Sequence, residues 1–210
     1  KNNLNKKFEF IIVNNGSSDN SYMVLEEAKE KFKDIIFINI NEDLGWGNGV
    51  MTGLKIASCD YVGWTHGDLQ YDLNILNEVY NLLNDPQYQN ESVLVKGRRK
   101  KRSFSEDFFT LTMSFIASII LCKKLYDINS QPNFFSRSIL NLFKNTPKDL
   151  MLDLYLYYKV STLKEKKILR LAVTQKKRLH GSSSWKKNFF SNYYLSLKQL
   201  IGIFKIRINN

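Results

Sequence analysis

The sequence predicts an α/β domain whose sheet is mostly parallel and carries helices on both faces. Three observations point there. In the first half, aliphatic runs of strand length alternate with helix-patterned segments, the spacing of βαβ units. Two of those runs break at their C-terminal ends into polar Gly/Ser/Asp turns, and in open α/β sheets ligands sit outside that edge. The chain has 210 residues, 43% of them hydrophobic and 24% charged, which suits one real core and argues against wholesale disorder.

Taken in order, residues 8–13 form an apolar strand, and 22–32 a helix of Ala/Glu/Lys composition. Residues 35–40 read as strand, 47–57 as helix, 61–65 as strand, 73–83 as helix and 92–96 as strand. The second half differs. Residues 106–121 read as a long helix, followed by irregular 127–133, a short apolar run, a helix over 150–160, a strand over 167–173 and a last helix over 186–206. The longest apolar stretch, 108–122, contains Thr110, Thr112, Ser114 and Ser118 and falls short of the ~20 residues of a bilayer crossing, so it is expected to be a mostly buried core helix.

The formal net charge of +11 calls for a polyanionic partner: nucleic acid, an anionic membrane face or a phosphate-bearing substrate. No recognised nucleic-acid module is present, so nucleic acid is not the expected partner. Cys59 and Cys122 lack CxxC spacing, which argues against a zinc site or a disulfide framework and fits a cytoplasmic setting. No signal-peptide pattern opens the sequence.

Three turns carry candidate chemistry. In 14–19 (Asn-Asn-Gly-Ser-Ser-Asp), Asn15 and Ser17 can hydrogen-bond a nucleoside, and Asp19 or Ser21 can equally cap the next helix. In 41–49, Gly45, Gly47 and Gly49 precede a helix, either for close approach of backbone to phosphate or for a tight turn. In 66–70 (His-Gly-Asp-Leu-Gln), His66, Asp68 and Gln70 alternate, so an extended segment would converge them on Mg²⁺ or Mn²⁺; a solvated turn is the alternative. The basic run 96–102 is the densest charge cluster, and the guanidinium forks of Arg137 and Arg178 can bind phosphate oxygens or sit in surface salt bridges.

Six motifs in this order, at 14–19, 45–49, 68–70, 96–99 (Lys-Gly-Arg-Arg), 127–132 (Asp-Ile-Asn-Ser-Gln-Pro) and 178–185 (Arg-Leu-His-Gly-Ser-Ser-Ser-Trp), resemble family 2 glycosyltransferases. Within that family they are most similar to the dolichyl-phosphate mannosyltransferase-like bacterial enzymes. The resemblance implies a GT-A fold over residues 1–185, a nucleotide-sugar donor, a divalent cation and a polyprenyl-phosphate acceptor at the cytoplasmic face of the membrane. Carried over, His66, Asp68 and Gln70 take the metal positions, and Asn15, Gly16, Ser17, Asp19, Gly45 and Gly49 the donor site. Arg98, with Arg137 and Arg178, faces the acceptor phosphate, while basic residues 99–102 meet anionic headgroups. Asp127 takes the place of an acidic residue facing the acceptor and Asp153 that of a catalytic-base carboxylate.

Two departures make this site less anionic than the family pattern: Asn15 stands for an aspartate and His66 for a carboxylate. The family's usual first strand and Pro-x-Tyr-Asn-Glu-like turn are not found, which is expected to leave an unpaired parallel edge for an upstream segment or a partner, including a homo-oligomer. The last segment, 186–210, is basic and aromatic and reads as an amphipathic helix at the membrane interface, with a core helix as the rival.

Overall fold

The computed structural model describes residues 8–68, 70–88, 91–100, 103–176 and 189–209. The first half follows the predicted alternation: β1 (Phe10–Asn15), α1 (Ser21–Lys31), β2 (Ile35–Ile40), α2 (Trp46–Ile56), β3 (Tyr61–Trp64), α3 (Ile75–Leu83) and β4 (Ser92–Lys100). The second half comprises α4 (Phe104–Leu121), β5 (Asn133–Ser136), a 3₁₀ segment Arg137–Leu142, α5 (Met151–Thr162), β6 (Lys166–Thr174) and α6 (Phe189–Ile208). The architecture is the expected α/β one.

β1 and β2 pair in parallel, Phe10 opposite Ile35 through Asn15 opposite Ile40. The other four strands run in the order β3-β5-β4-β6. β5 is antiparallel to both of its neighbours, while β4 and β6 are parallel. The sheet is therefore more mixed than the alternation predicts. β5 is only four residues long, too short to show a period; what makes it a strand is pairing on both sides, with Phe135 fully buried. Among the described residues β1 pairs only with β2 and β3 only with β5, and α2 packs on both β1 and β3.

Alternation along β4 separates two cores. Val93 and Val95 meet Val79 and Leu83 of α3 on one face. Leu94 joins Val62, Trp64 and Phe135 against α4, α5 and α6 on the other. Lys96 lies on that second face and is fully buried. β4 also runs past its predicted end, so Arg98–Lys100 are strand residues rather than part of a loop.

α4 departs most from expectation. Ser103 and Glu106 form a capping box that fixes its start, and Cys122 ends it in the left-handed conformation. Only 28% of it is buried. Thr110, Met113, Ser114, Ala117 and Leu121 face inward, whereas Phe104, Phe108, Phe115 and Ile119 face outward. It is a half-buried helix, not a core helix. The sequence could not show this, because apolar residues fill both of its faces.

Candidate active site

The C-terminal ends of β1, β3 and β4 supply the site. Beyond β1, an open groove of ≈ 790 Å³ is lined by Asn14, Ser17, Asp19, Ser21 and, from the loop after β3, Gly67. Two of the predicted donor residues, Ser17 and Asp19, are thus brought beside the predicted metal loop. Asn14, which the sequence analysis passed over, is buried here. Its Nδ2 donates to Asn39 Oδ1 at 2.7 Å, and its own Oδ1 has no partner among the described residues. Asp19 also accepts from the Ser21 backbone N–H at 3.0 Å, and hydrogen bonds from Ser21 hold its carboxyl below the usual range.

Of the two uses expected for the glycines of 41–49, phosphate approach or a tight turn, the packing fits the turn, held close against this chain's own atoms. Gly16 has φ +66°, donates its N–H to Ile40 O, and a Cβ there would lie 2.2 Å from the Asp43 nitrogen. Gly45, at φ +85°, and Gly47 lie against the backbone of residues 147–149, and Gly49 packs on the Asn15 side chain. These glycines admit other parts of this chain. Asn15 is likewise engaged: its Nδ2 donates to Asp43 Oδ1 at 2.8 Å and its Oδ1 accepts from the Leu44 N–H at 3.4 Å. Gly16→Ala is expected to destabilise the chain by about 1–3 kcal/mol, the cost of forcing a side chain into filled space, measurable by urea unfolding.

The loop after β3 is a turn rather than an extended segment. Gln70 N donates to Asp68 Oδ1 at 3.1 Å, closing an Asx-type turn. The Gln70 amide is bound to the segment after β6: its Nε2 donates to Lys176 O at 2.9 Å, and its Oε1 accepts from Gln175 Nε2 at 3.3 Å. The His66 ring lies 5.8 Å from that of Trp46. The three predicted ligands share one loop, in which the Gln70 amide is engaged by the segment after β6. Among the described residues no three His, Cys, Asp or Glu side chains form a metal cluster. A carboxylate and an imidazole, as Asp68 and His66 offer, are donor types that a divalent cation such as Mn²⁺ takes.

Behind this loop lies a buried polar network. Asp153, only 2% exposed, accepts from Trp64 Nε1 at 2.8 Å, Asn133 Nδ2 at 2.7 Å and Gln131 Nε2 at 3.2 Å. Burial raises its pKa, against the pull of Lys96 and of the Trp64 and Gln131 hydrogen bonds. Lys96 Nζ donates to Ser130 O and to Asn133 Oδ1, each at 2.9 Å, so Asn133 links the lysine to the aspartate. Asp153, in the place of a catalytic-base carboxylate, is thus buried beneath Trp64 with three donors on it. Lys96 was missed as a site residue because its Lys-Gly-Arg-Arg context reads as surface charge.

Burial brings the Lys96 pKa down to about 7 from 10.5. Between those values the unfolded chain binds the proton that the folded chain lacks, so this contribution to stability grows as pH rises. Urea unfolding at pH 7 and 9 is expected to show the parent gaining stability relative to Lys96→Met.

Asp127 is also committed. It is buried at φ +46° and accepts from the Arg99 backbone N–H and Nε, each at 2.9 Å, and from Arg99 Nη2. Burial pushes its carboxyl up, but the Arg99 hydrogen bonds and charge outweigh that and hold it below the usual range. Arg99 is thus an internal partner of Asp127, not a headgroup contact. Arg98 is exposed at the same strand end, 5.6 Å from the Tyr126 ring centroid, and Arg170 lies 6.0 Å from that ring on the next strand.

Arg137 is not brought to this edge. Its backbone N–H donates to Asp60 O, and Ser136 pairs with Tyr61, at the opposite end of β3 from the 66–70 turn. The reason is β5, which runs antiparallel and carries Arg137 away. Arg178, with its motif 178–185, lies outside the described residues.

Residues 1–138 match the family model described as glycosyl transferase family 2. The chain belongs to that family. Poly-beta-1,6-N-acetyl-D-glucosamine synthase of Staphylococcus aureus is 30% identical over 142 residues, 67% of this chain and 33% of that protein. Undecaprenyl-phosphate 4-deoxy-4-formamido-L-arabinose transferase of Proteus mirabilis is 31% identical over 121 residues, 57% of this chain and 35% of that protein. This family 2 chain thus spans about a third of the length of the curated relatives it matches.

Among solved structures, glucosyl-3-phosphoglycerate synthase from Mycobacterium tuberculosis, in complex with Mn²⁺, uridine diphosphate and phosphoglyceric acid, superposes with a TM-score of 0.65 at 15% identity. That match covers 95% of this chain and 67% of the other. S. aureus TarS 1-349 gives a TM-score of 0.56 at 15% identity, over 82% of this chain and 52% of the other. These are likenesses of fold, and they agree with the GT-A architecture expected from the motifs.

Proposed function

We propose that this family 2 chain is the catalytic domain of an inverting glycosyltransferase that moves a sugar from a nucleotide-sugar to a polyprenyl phosphate at the cytoplasmic membrane face. The observation that carries the acceptor is the state of Asp127, expected to face the acceptor, and of Asp153, expected as the base. Asp127 is locked to Arg99, and Asp153 is buried beneath Trp64 with three donors on it. A hydroxyl acceptor requires a base to take its proton, whereas a phosphate monoester is already an anion at neutral pH. The arrangement therefore favours the phosphate. One relative's name carries an undecaprenyl-phosphate acceptor and another's a polysaccharide product, so the family accommodates both kinds of chemistry.

In this reading the groove at Asn14, Ser17 and Asp19 takes the nucleoside. A phosphate oxygen of the acceptor attacks the anomeric carbon as the bond to the donor diphosphate breaks, in one displacement that inverts the centre. A Mg²⁺ or Mn²⁺ ion, when bound, supplies charge to stabilise the leaving diphosphate. Asp68, with His66 beside it, holds that position. Arg98, exposed at the end of β4, meets the acceptor phosphate, and Arg170 on the parallel strand adds positive potential behind it. Arg178 remains a further candidate for that phosphate.

Incubation with nucleotide-sugars, Mn²⁺ and undecaprenyl phosphate tests this reading. Release of nucleoside diphosphate that depends on the lipid phosphate supports it; release that depends instead on an oligosaccharide hydroxyl acceptor overturns it. A second reading, a binding protein of the same fold without turnover, draws on the Gln70 amide being held by Gln175 and Lys176. Donor binding by calorimetry, without turnover on either acceptor, would favour it.

A further inference from the structure

α4 and α6 lie side by side and send their inner faces into one core: Met113, Ala117 and Leu121 from α4, Ile203 and Ile206 from α6. Their outer faces are apolar as well. On α4, Phe104, Phe108, Phe115 and Ile119 are 87, 63, 66 and 60% exposed, at spacings that keep them on one side of a helix. On α6, Leu197, Ile201, Phe204 and Ile208 are 45, 49, 53 and 80% exposed and likewise share one side. Eight large apolar side chains on two adjacent helices are thus at least 45% exposed, and a contiguous apolar patch of this kind marks an interaction surface.

A bilayer-spanning role for α4 and a second copy of the chain both conflict with the structure. The 18 residues of α4 would reach about 27 Å, nearly a bilayer core, at 1.5 Å per residue. Yet Ala117 and Leu121 on its inner side are fully buried against the rest of the domain, and crossing a membrane would strip that core away. A second copy, related by a two-fold axis, would bring like charges together. Lys123 and Lys124 follow α4, α6 carries Lys205 and Arg207 besides Lys198, which pairs with Asp149, and the only acids on α4, Glu106 and Asp107, sit in its first turn. An anionic lipid surface complements both the apolar faces and their basic surroundings, in a chain of net charge +11.

We propose that the outward faces of α4 and α6 together form a docking surface that lies in the plane of an anionic bilayer and buries these side chains at the headgroup boundary. The inference extends the proposed function, on which it rests for its purpose, and it gives α4 a role beside the C-terminal helix. α4 starts only four residues after the end of β4, so its N-terminal end adjoins the strand end that carries Arg98. A phosphate presented at the membrane surface would meet that edge of the sheet.

The test uses the intact chain and sedimentation with extruded vesicles of phosphatidylcholine, with or without phosphatidylglycerol and free of polyprenyl phosphate. Binding is expected to the anionic vesicles, and to fall by about tenfold or more in Phe108→Ser/Phe115→Ser and in Leu197→Ser/Ile201→Ser. Thermal melting and calorimetric donor binding should stay as in the parent. In a Phe115→Trp variant, lipids brominated on the acyl chain should quench the indole. Parent-like sedimentation of both double variants, or an unquenched Trp at position 115, would overturn the proposal. So would a parent dimer in solution that the same substitutions dissociate, since that assigns the face to a second copy. Vesicle binding without turnover counts against the acceptor reading alone, and donor binding without vesicle binding against this inference alone.

Discussion

Asp68→Ala is expected to lower sugar transfer by about 10²–10³-fold, the scale of losing one preorganised group that stabilises transition-state charge. The argument is local. Asp68 is the only carboxylate in the 66–70 turn, and the remaining groups there, an imidazole and an amide held by Gln175 and Lys176, cannot replace its charge. Donor affinity in calorimetry should lose its dependence on Mn²⁺ in the variant, while melting should barely change, because the Asx-type contact to Gln70 N is a modest one. Restoring a second acid through His66→Asp is expected to strengthen metal-dependent donor binding. Full activity in Asp68→Ala would sink the site assignment.

Asp127→Ala should instead act on the fold. The change leaves Arg99, whose side chain is 15% exposed, without its carboxylate, and breaking a buried pair in this way costs about 3–5 kcal/mol. For a chain of this size that lowers the melting temperature by roughly 10 °C. The double variant Arg99→Met/Asp127→Leu should recover much of the loss, because it removes the stranded charge together with its partner. The pH dependence has a definite sign. The folded Asp127 carboxyl titrates below its unfolded value of 3.8, so the stability it contributes is present above that value and is lost as pH falls through the folded one. If Asp127→Ala lost activity with no change in melting, Asp127 would be acting on the acceptor after all.

The two substitutions are expected to separate what the motifs suggested alike. Asp68 and Asp127 both read as site acids in sequence, and it is the Arg99 pairing of Asp127 that motivates the different expectations. Asp153 belongs with Asp127: its three donors come from Trp64, Gln131 and Asn133, residues far from it in sequence. Because Lys96 reaches the same Asn133, this network ties β3, β4, β5 and α5 together directly behind the candidate metal turn.

The strand-helix alternation of the first half and the family were legible in the sequence, as was the position of the 14–19 and 66–70 turns just beyond strand ends. These are local signals, since aliphatic runs, caps and turn residues act over a few positions. Tertiary structure alone decided β5, which becomes a strand only by pairing between β3 and β4 and so carries Arg137 to the far end. It decided the glycines too, whose missing side chains make room for residues 147–149 and Asn15 rather than for an open cradle. Above all it decided α4: burial is a property of what lies opposite a helix, and an apolar stretch looks the same in sequence whether its second face meets protein or, as here, turns outward.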